Sequence, residues 1–319
     1  MVKDSAFIVM SPFQALCAIS IIKQKGIVDT TIFLIDGIGS YEKTKMLLKL
    51  YNKDYVFVDR TLPWYSLIKY IKSFGRFRNV YIGDYFSIKE YIIAIAASVF
   101  NGNAVYMDDG NSTLSIAPPV SRKRYYSVKN RIAWLLFGLC GRLKRLHYAF
   151  CTIYDIKGIS DYPIIKNDLS RLIGSESNTP GTGLYIIGTN VGDLKLKSYT
   201  YEDYLKWVID YLKGKDDNET IYYCPHRKDP ESHSEILVSN NVKMFDTEIS
   251  VEVDFCSKGI NPAVIIGFGS TALVTLKSIF PYSEVFNCTI IFEDEELNRT
   301  YKSIEDYMAE HHIPTLQKN

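Results

Sequence analysis

The sequence lacks an excess of charge of either sign, and it lacks a long hydrophobic run. Its 319 residues include 37 Lys and Arg against 36 Asp and Glu, so no net field attracts nucleic acid and we expect no nucleic-acid partner. The apolar run IAWLLFGLC in its basic region has nine residues, whereas about 20 are needed to cross a bilayer. The sequence therefore predicts a globular protein without a membrane-spanning helix.

Paired cysteines and a secretory signal are also missing. The six cysteines are scattered and form no Cys-x-x-Cys motif, which is typical of a reducing compartment. The opening MVKDSAFIVMSPF has an early acid and a short apolar run, so it predicts a first strand rather than a signal peptide. We therefore expect a cytoplasmic location.

Several familiar catalytic motifs do not occur. The chain has no Gly-Lys-Ser/Thr of a Walker loop, no Gly-x-Ser-x-Gly of a serine hydrolase and no Asp-x-Asp triplet. The adjacent Asp108 and Asp109 could bind magnesium, but neighbouring residues of a strand face opposite ways. We therefore expect no metal site and no cofactor.

Short apolar runs alternate with helical patterns along most of the chain, which predicts parallel sheets covered by helices. The predicted strands are 6–10, 31–36, 55–59, 79–84, 104–109, 184–189, 220–224, a weak one near VKMFD, 263–270 and 288–294. A Gly-, Ser- and Pro-rich stretch interrupts the alternation. The sequence thus predicts an N-terminal α/β domain (1–155), a linker (156–183) and a C-terminal α/β domain (184–319) with a cleft between the domains. Ligands of such sheets bind at the carboxyl ends of the strands.

Two predicted strand ends in the first half carry polar residues. Strand 104–109 ends in Asp108 and Asp109 and is followed by Gly110. This segment is either a plain Asp-Gly turn or a pair of functional carboxylates. The first strand is followed by Ser11 and Gln14. Ser11 suits a helix start, and Ser11 and Gln14 are candidate contacts for an acceptor or sugar.

Two strand ends in the second half are suited to an anion. His226 and Arg227 follow strand 220–224, where they are either bystanders or contacts for an anion. The apolar strand AVIIGFG runs into Gly269, Ser270 and Thr271 and then directly into a helix. Hydroxyls and free amides at the positive end of a helix form a phosphate site without a lysine.

These motifs, in this order, resemble those of the bacterial sialyltransferases and polysialyltransferases of capsular polysaccharide and lipooligosaccharide synthesis. The family motifs are Asp/Glu-Asp/Glu-Gly, His-Pro and Ser-Ser/Thr, and the opening MSPFQALCAI is similar to family starts. The resemblance implies the GT-B architecture, with two Rossmann-like domains facing a cleft. It also implies metal-independent, inverting transfer of sialic acid from CMP-sialic acid to a terminal sugar such as galactose.

Carried over by position, the resemblance assigns the acceptor-activating base to the Asp108/Asp109 pair, with Asp108 favoured. The carboxylate next to the base would raise its pKa. The resemblance also implies that His226 and the Ser270 and Thr271 hydroxyls bind the departing CMP phosphate. The resemblance places Glu252 on the cytidine ribose, with Glu248 as second choice. The implied donor-binding residues are Gly110, Arg227, Glu252, Gly269, Ser270 and Thr271. At the position of the family's His-Pro motif, this chain has the reverse order, Pro225-His226.

Four alternatives remain open at this point. Some relatives take the base from the second domain, which would make Asp203 or Glu202 the competitor of Asp108. The same two-domain frame suits another nucleotide sugar, and a non-catalytic capsule-assembly protein is a further alternative. The basic, apolar segment 121–147 either covers the core as an amphipathic helix or rests on the anionic inner membrane. A lipid-linked glycan is therefore among the candidate acceptors.

Overall fold

The computed structural model describes residues 2–36, 40–59, 61, 63–83, 87–110, 113, 135, 139–156, 163–170, 181–190, 195–216, 218–226 and 234–318. The chain divides into an N-terminal unit, Met1–Leu172, and a C-terminal unit, Ile173–Asn319. The boundary lies inside the segment 156–183 that we predicted as a linker. Part of that segment belongs to the first sheet, because Ile164–Lys166 is its last strand.

The N-terminal unit is a parallel sheet of seven strands with the order β3-β2-β1-β4-β5-β6-β7. The strands are β1 (Val2–Val9), β2 (Thr30–Ile35), β3 (Tyr55–Val58), β4 (Arg76–Ile82), β5 (Ser98–Met107), β6 (His147–Thr152) and β7 (Ile164–Lys166). The helices whose ends the structure describes are α1 (Pro12–Lys25), α2 (Tyr41–Leu50), α3 (Trp64–Ser73) and α4 (Ile88–Ala97). Apolar residues of the central strands, among them Phe7, Ile8 and Val80, are fully buried, as expected for a sheet covered on both faces.

The C-terminal unit is a second parallel sheet, with the order β10-β9-β8-β11-β12-β13. The strands are β8 (Leu184–Ile187), β9 (Ile221–Cys224), β10 (Lys243–Met244), β11 (Val264–Gly267), β12 (Glu284–Cys288) and β13 (Thr315–Leu316). The helices are α5 (Tyr201–Lys215), α6 (Ser234–Ser239), α7 (Val251–Ser257), α8 (Thr271–Ile279) and α9 (Glu295–Glu310). Its core gathers β8 and β11 around aromatic residues such as Tyr204 and Phe268.

Both sheets have the strand order of a Rossmann-like fold, so the predicted α/β class is confirmed. The order reverses between β1 and β4 in the first sheet and between β8 and β11 in the second. Ligands of such sheets bind at the carboxyl ends of the strands beside this reversal. Among the described helices, none is both long enough and apolar enough to span a membrane.

Candidate functional site

Asp108, the first residue after β5, is completely buried. Its Oδ1 accepts a hydrogen bond from the Thr152 hydroxyl at 2.5 Å, and its Oδ2 accepts one from the backbone N–H of Ile153 at 2.7 Å. Thr152 is the last residue of β6, the strand that pairs with β5, and Ile153 follows it. The Asp108 carboxyl therefore points into the protein and ties together two strand ends.

Burial raises the pKa of Asp108 from 3.8 to about 7, because a buried carboxylate loses its hydration. The hydrogen bonds from Thr152, Ile153 and Thr113 and the nearby Lys166 ammonium oppose this rise. The pKa of Asp108 therefore lies close to neutral pH, although the carboxyl group has no exposed surface.

Asp109 is oriented differently from Asp108 and is only half-buried. Its Oδ1 accepts a hydrogen bond from the side-chain amide of Gln14 at 2.8 Å, and its backbone N–H donates to the Thr113 hydroxyl at 3.2 Å. Gly110 follows with a φ of +69°, which a residue with a side chain rarely adopts. The Asp-Asp-Gly segment is thus a turn that also directs its two carboxylates to separate neighbours.

Gln14 and Ser11 take up structural positions at the start of α1. The Ser11 hydroxyl caps the helix by accepting from the backbone N–H of Gln14 at 3.2 Å. The Gln14 side chain, which we predicted as a contact for an acceptor or sugar, is only 1% exposed. Its amide is bonded to Asp109, so it reaches the edge of the sheet through that carboxylate.

The glycine loop after β11 lies at the strand reversal of the second sheet. Gly269 has a φ of +62°, and a Cβ there would lie 2.7 Å from the Tyr301 ring. Its backbone N–H donates to Oδ1 of Asn287 at 2.7 Å. Asn287 is fully buried, so the loop is fixed from within the sheet.

Ser270 and Thr271 begin α8. The Ser270 hydroxyl caps this helix by accepting from the backbone N–H of Ala272 at 3.3 Å. Both side chains are half-buried. The positive end of the helix and two hydroxyl groups therefore coincide at the carboxyl end of β11, an arrangement that suits a phosphate group.

Glu252 lies on α7 next to this helix start. Its side chain is 6% exposed, and Oε1 accepts from the Thr275 hydroxyl at 2.7 Å. Thr275 follows Thr271 by one helical turn and so lies on the same face of α8. Glu248, the second choice for the ribose, instead pairs with Lys258 at 3.1 Å.

His226 is half-buried and follows β9. Because β9 pairs with β8 and β8 pairs with β11, two strand spacings, about 10 Å, separate the ends of β9 and β11. His226 and Gly269 thus lie at the same edge of the sheet. The predicted Arg227 lies outside the described residues.

The competing acid Asp203 has a clear local role. It forms a capping box at the start of α5, where its carboxylate accepts from the Thr200 backbone and hydroxyl at 2.8 and 2.9 Å. These bonds lower the pKa of Asp203 below its usual value. The neighbouring Glu202 lies in the same first turn. Helix capping therefore accounts for Asp203.

Three residues of these edges were missed by reasoning from the sequence: Thr152, Asn287 and Gly83. Each acts through a residue that is distant in the chain, and none belongs to a recognisable motif. Among the described residues, no cluster of three or more His, Cys, Asp or Glu side chains could hold a metal ion.

Solved structures similar to this chain cover nearly its whole length. An α/β-galactoside α-2,3-sialyltransferase from Photobacterium phosphoreum has a TM-score of 0.59 at 11% identity, covering 98% of each chain. The GT-B domain of a sialyltransferase from Photobacterium damselae has a TM-score of 0.54 at 12% identity, covering 100% of each chain. This chain has the GT-B fold.

The same fold also occurs in a different kind of enzyme. A UDP-N-acetylglucosamine 2-epimerase is similar with a TM-score of 0.53 at 9% identity, covering 99% of this chain and 84% of its own. No protein-family model and no curated protein sequence matches the chain. The likeness therefore establishes the fold alone.

Proposed function

We propose that this protein is an inverting sialyltransferase, which moves sialic acid from CMP-sialic acid to a terminal galactose of a bacterial surface glycan. The observation that carries the proposal is the position of three motifs in a GT-B fold. Asp-Asp-Gly, His226 and Gly-Ser-Thr each follow the carboxyl end of a strand near the reversal of its sheet. The similarity to two Photobacterium sialyltransferases adds support.

The base of the reaction is Asp109 in this proposal. A base must reach the acceptor hydroxyl, and the buried Asp108 already accepts bonds from Thr152 and Ile153 on its two oxygens. The burial of Asp108 therefore argues against our first choice between the two. Asp109 is half-buried at the same strand end. Asp108 then fixes the strand end from which Asp109 projects.

The donor phosphate binds at the start of α8 in this proposal. The departing CMP carries negative charge, which the helix end and the hydroxyls of Ser270 and Thr271 stabilise. His226 supplies a proton or a hydrogen bond to that phosphate, with Arg227 as a second cation. Glu252 accepts a bond from Thr275 on one oxygen and binds the cytidine ribose with the other.

The expected acceptors are capsular polysaccharide and lipooligosaccharide chains, so we propose that the protein works at the cytoplasmic face of the inner membrane. Leu135, Leu139 and Leu143 follow each other at helical spacing and are 67%, 47% and 78% exposed. Gly141 instead faces the protein, since a Cβ there would meet the Tyr148 hydroxyl. Exposed leucines beside basic residues suit an anionic bilayer. Residues 121–134 and 136–138 of this basic segment lie outside the described part of the chain.

The decisive experiment incubates the purified protein with CMP-sialic acid, UDP-sugars and GDP-sugars, each with a lactose acceptor, and identifies the product by mass spectrometry. We expect CMP release coupled to sialyl-lactose formation. The reaction should continue in excess EDTA, because a helix end and hydroxyls neutralise the phosphate in place of a metal. A parallel sample with phosphatidylglycerol vesicles tests membrane binding by cosedimentation.

Other outcomes distinguish the alternatives. Product only from a UDP-sugar, or a requirement for magnesium, would replace sialic acid transfer with transfer of another sugar. Conversion of UDP-N-acetylglucosamine without an acceptor would indicate an epimerase. Absence of turnover and of nucleotide binding would favour a non-catalytic capsule-assembly protein.

A further inference from the structure

Gln14 is buried at the carboxyl-end edge of the N-terminal sheet, beside the proposed base Asp109. Its Oε1 accepts from the backbone N–H of Met10 at 2.8 Å, and its Nε2 donates to Oδ1 of Asp109 at 2.8 Å. The Met10 N–H can only donate, so the oxygen of the amide must face it. The NH₂ group must then face Asp109, which fixes the orientation of the amide.

Gly83 leaves the space that this amide fills. A Cβ at position 83 would lie 2.3 Å from Cδ of Gln14, which is far inside van der Waals contact. Met10 follows β1, Gly83 follows β4 and Asp109 lies just beyond β5, and these three strands are neighbours. The amide is therefore enclosed by three strand ends at the reversal of the sheet.

We propose that Gln14 is a positioning residue, whose amide holds one oxygen of Asp109 so that the other oxygen takes the proton of the acceptor hydroxyl. This inference rests on the proposed transfer reaction. In the step, Asp109 forms a new O–H bond while the acceptor O–H bond breaks. The acceptor oxygen bonds to the anomeric carbon of sialic acid, and the bond from that carbon to the CMP phosphate breaks. An N–H donor also favours the ionised form of a carboxylate.

The first test replaces Gln14 with methionine, which keeps the length but removes the donor. We expect kcat for transfer to fall about 10- to 100-fold, the usual worth of a bond to a charged group. The acidic limb of the pH–rate profile should move to higher pH, and the KM for CMP-sialic acid should stay unchanged. The matched control is Gln24→Met on the same helix. Gln24 also accepts from a backbone N–H and donates to a carbonyl, at Asp168 and Lys166.

Gln14→Glu provides a rescue by a conservative change. When protonated, the introduced acid can accept from Met10 and donate an O–H to Asp109, as the amide does. We therefore expect this variant to work best at acidic pH and to lose activity as the introduced acid ionises. A variant that is inactive at every pH, although folded by circular dichroism, would contradict a positioning role.

Gly83→Ala tests the same contact from the opposite side. The added methyl group displaces the Gln14 amide, so transfer should slow without the loss of any polar group. In a Gln14→Ala background the methyl group has room, and Gly83→Ala should then cost little more. Such non-additivity is the signature of a direct contact. Equal costs in both backgrounds, or a rate change without a shift of the pH profile, would reduce Gln14 to a packing residue.

A failure of the proposed reaction would leave this inference testable. The titration of the Asp109 carboxyl can be followed by carbon NMR in the wild-type protein and in Gln14→Met, without any substrate. Loss of the donor should move the Asp109 titration to higher pH. An unchanged titration would overturn the role of Gln14, whichever reaction the protein performs.

Discussion

The two strand edges that carry the candidate residues are held in different ways. In the N-terminal unit, the acidic end of β5 is held by distant side chains, since Thr152 bonds to Asp108 and Gln14 bonds to Asp109. In the C-terminal unit, the Gly269–Ser270 loop is held mainly by its own left-handed turn and helix cap. Asn287, which is distant in the chain, also bonds to this loop.

The difference follows from what each edge has to do. A base needs a fixed direction and a tuned proton affinity, and both depend on neighbours that the carboxylate contacts. A phosphate site needs N–H and O–H donors together with a positive field, and any well-capped helix start offers these locally. We therefore expect the first edge to be sensitive to changes far from it in sequence and the second edge to be sensitive mainly to its own loop.

The largest expected effect separates the two adjacent carboxylates. Asp109→Asn should lower the rate of transfer by about 10²–10⁴, because the amide cannot accept the proton. Asp108→Asn should keep most of the rate, since the Asn oxygen can accept from the Ile153 N–H and its NH₂ group can donate to the Thr152 oxygen, whose hydroxyl is free to rotate. Both rates are measured with CMP-sialic acid and lactose. CMP affinity should be unchanged in both variants. The opposite ranking would restore Asp108 as the base.

Much of this fold was predictable because buried parallel strands are local apolar runs. The predicted runs at 6–10, 31–36, 184–189 and 263–270 all overlap observed strands. Strands β6, β7 and β13 were missed. Of these, β7 and β13 have only three and two residues, too few to carry a pattern. The predicted strand 288–294 was misplaced, since β12 covers Glu284–Cys288. Ile290 and Phe292, which follow β12, are buried without belonging to it. An apolar run therefore indicates that residues are buried, but not that they pair with a neighbouring strand.

The candidate site was predictable only in part. The adjacent acids and the Gly-Ser-Thr loop stand at strand ends that sequence patterns reveal. The partner of each acid could not be predicted, because Gln14 and Asp109 are 95 residues apart and Asp108 and Thr152 are 44 apart. Such pairs form only when strand order brings β1, β4, β5 and β6 together, and local propensity does not encode strand order.

A smaller effect concerns the pH dependence of stability in the N-terminal unit. Folding raises the pKa of Asp108 from 3.8 to about 7, so the folded state binds more protons than the unfolded state between these values. Stability should therefore fall as pH rises through this window and level off above it. Full ionisation would cost on the order of 4 kcal/mol at most. Asp108→Asn should remove this slope, measured by urea unfolding at pH 5 and pH 8.

The control for that experiment is Asp59→Asn in the same unit. Asp59 is a partly exposed residue whose pKa lies below its usual value because of bonds from Thr61. It is ionised in both states at pH 5 and pH 8, so the substitution should leave the stability difference between these pH values unchanged. An equal loss of slope in both variants would show that overall charge, rather than the buried Asp108, sets the pH dependence.

The smallest expected effect tests whether the second edge depends mainly on its own loop. Thr271→Val keeps the shape of the side chain and removes one hydroxyl. A bond to a charged group contributes about 1.5–3 kcal/mol, so calorimetry should find CMP binding weakened by about tenfold or more.

Ser270→Ala should weaken CMP binding similarly but should also destabilise the protein by about 0.5–2 kcal/mol, because Ser270 caps α8. Ser87→Ala is the matched control, since Ser87 caps α4 by accepting from Glu90 at 3.3 Å. It should cost similar stability and leave CMP affinity unchanged. If Thr271→Val binds CMP as the wild-type protein does, the helix start is only a packing feature and the phosphate must be held elsewhere.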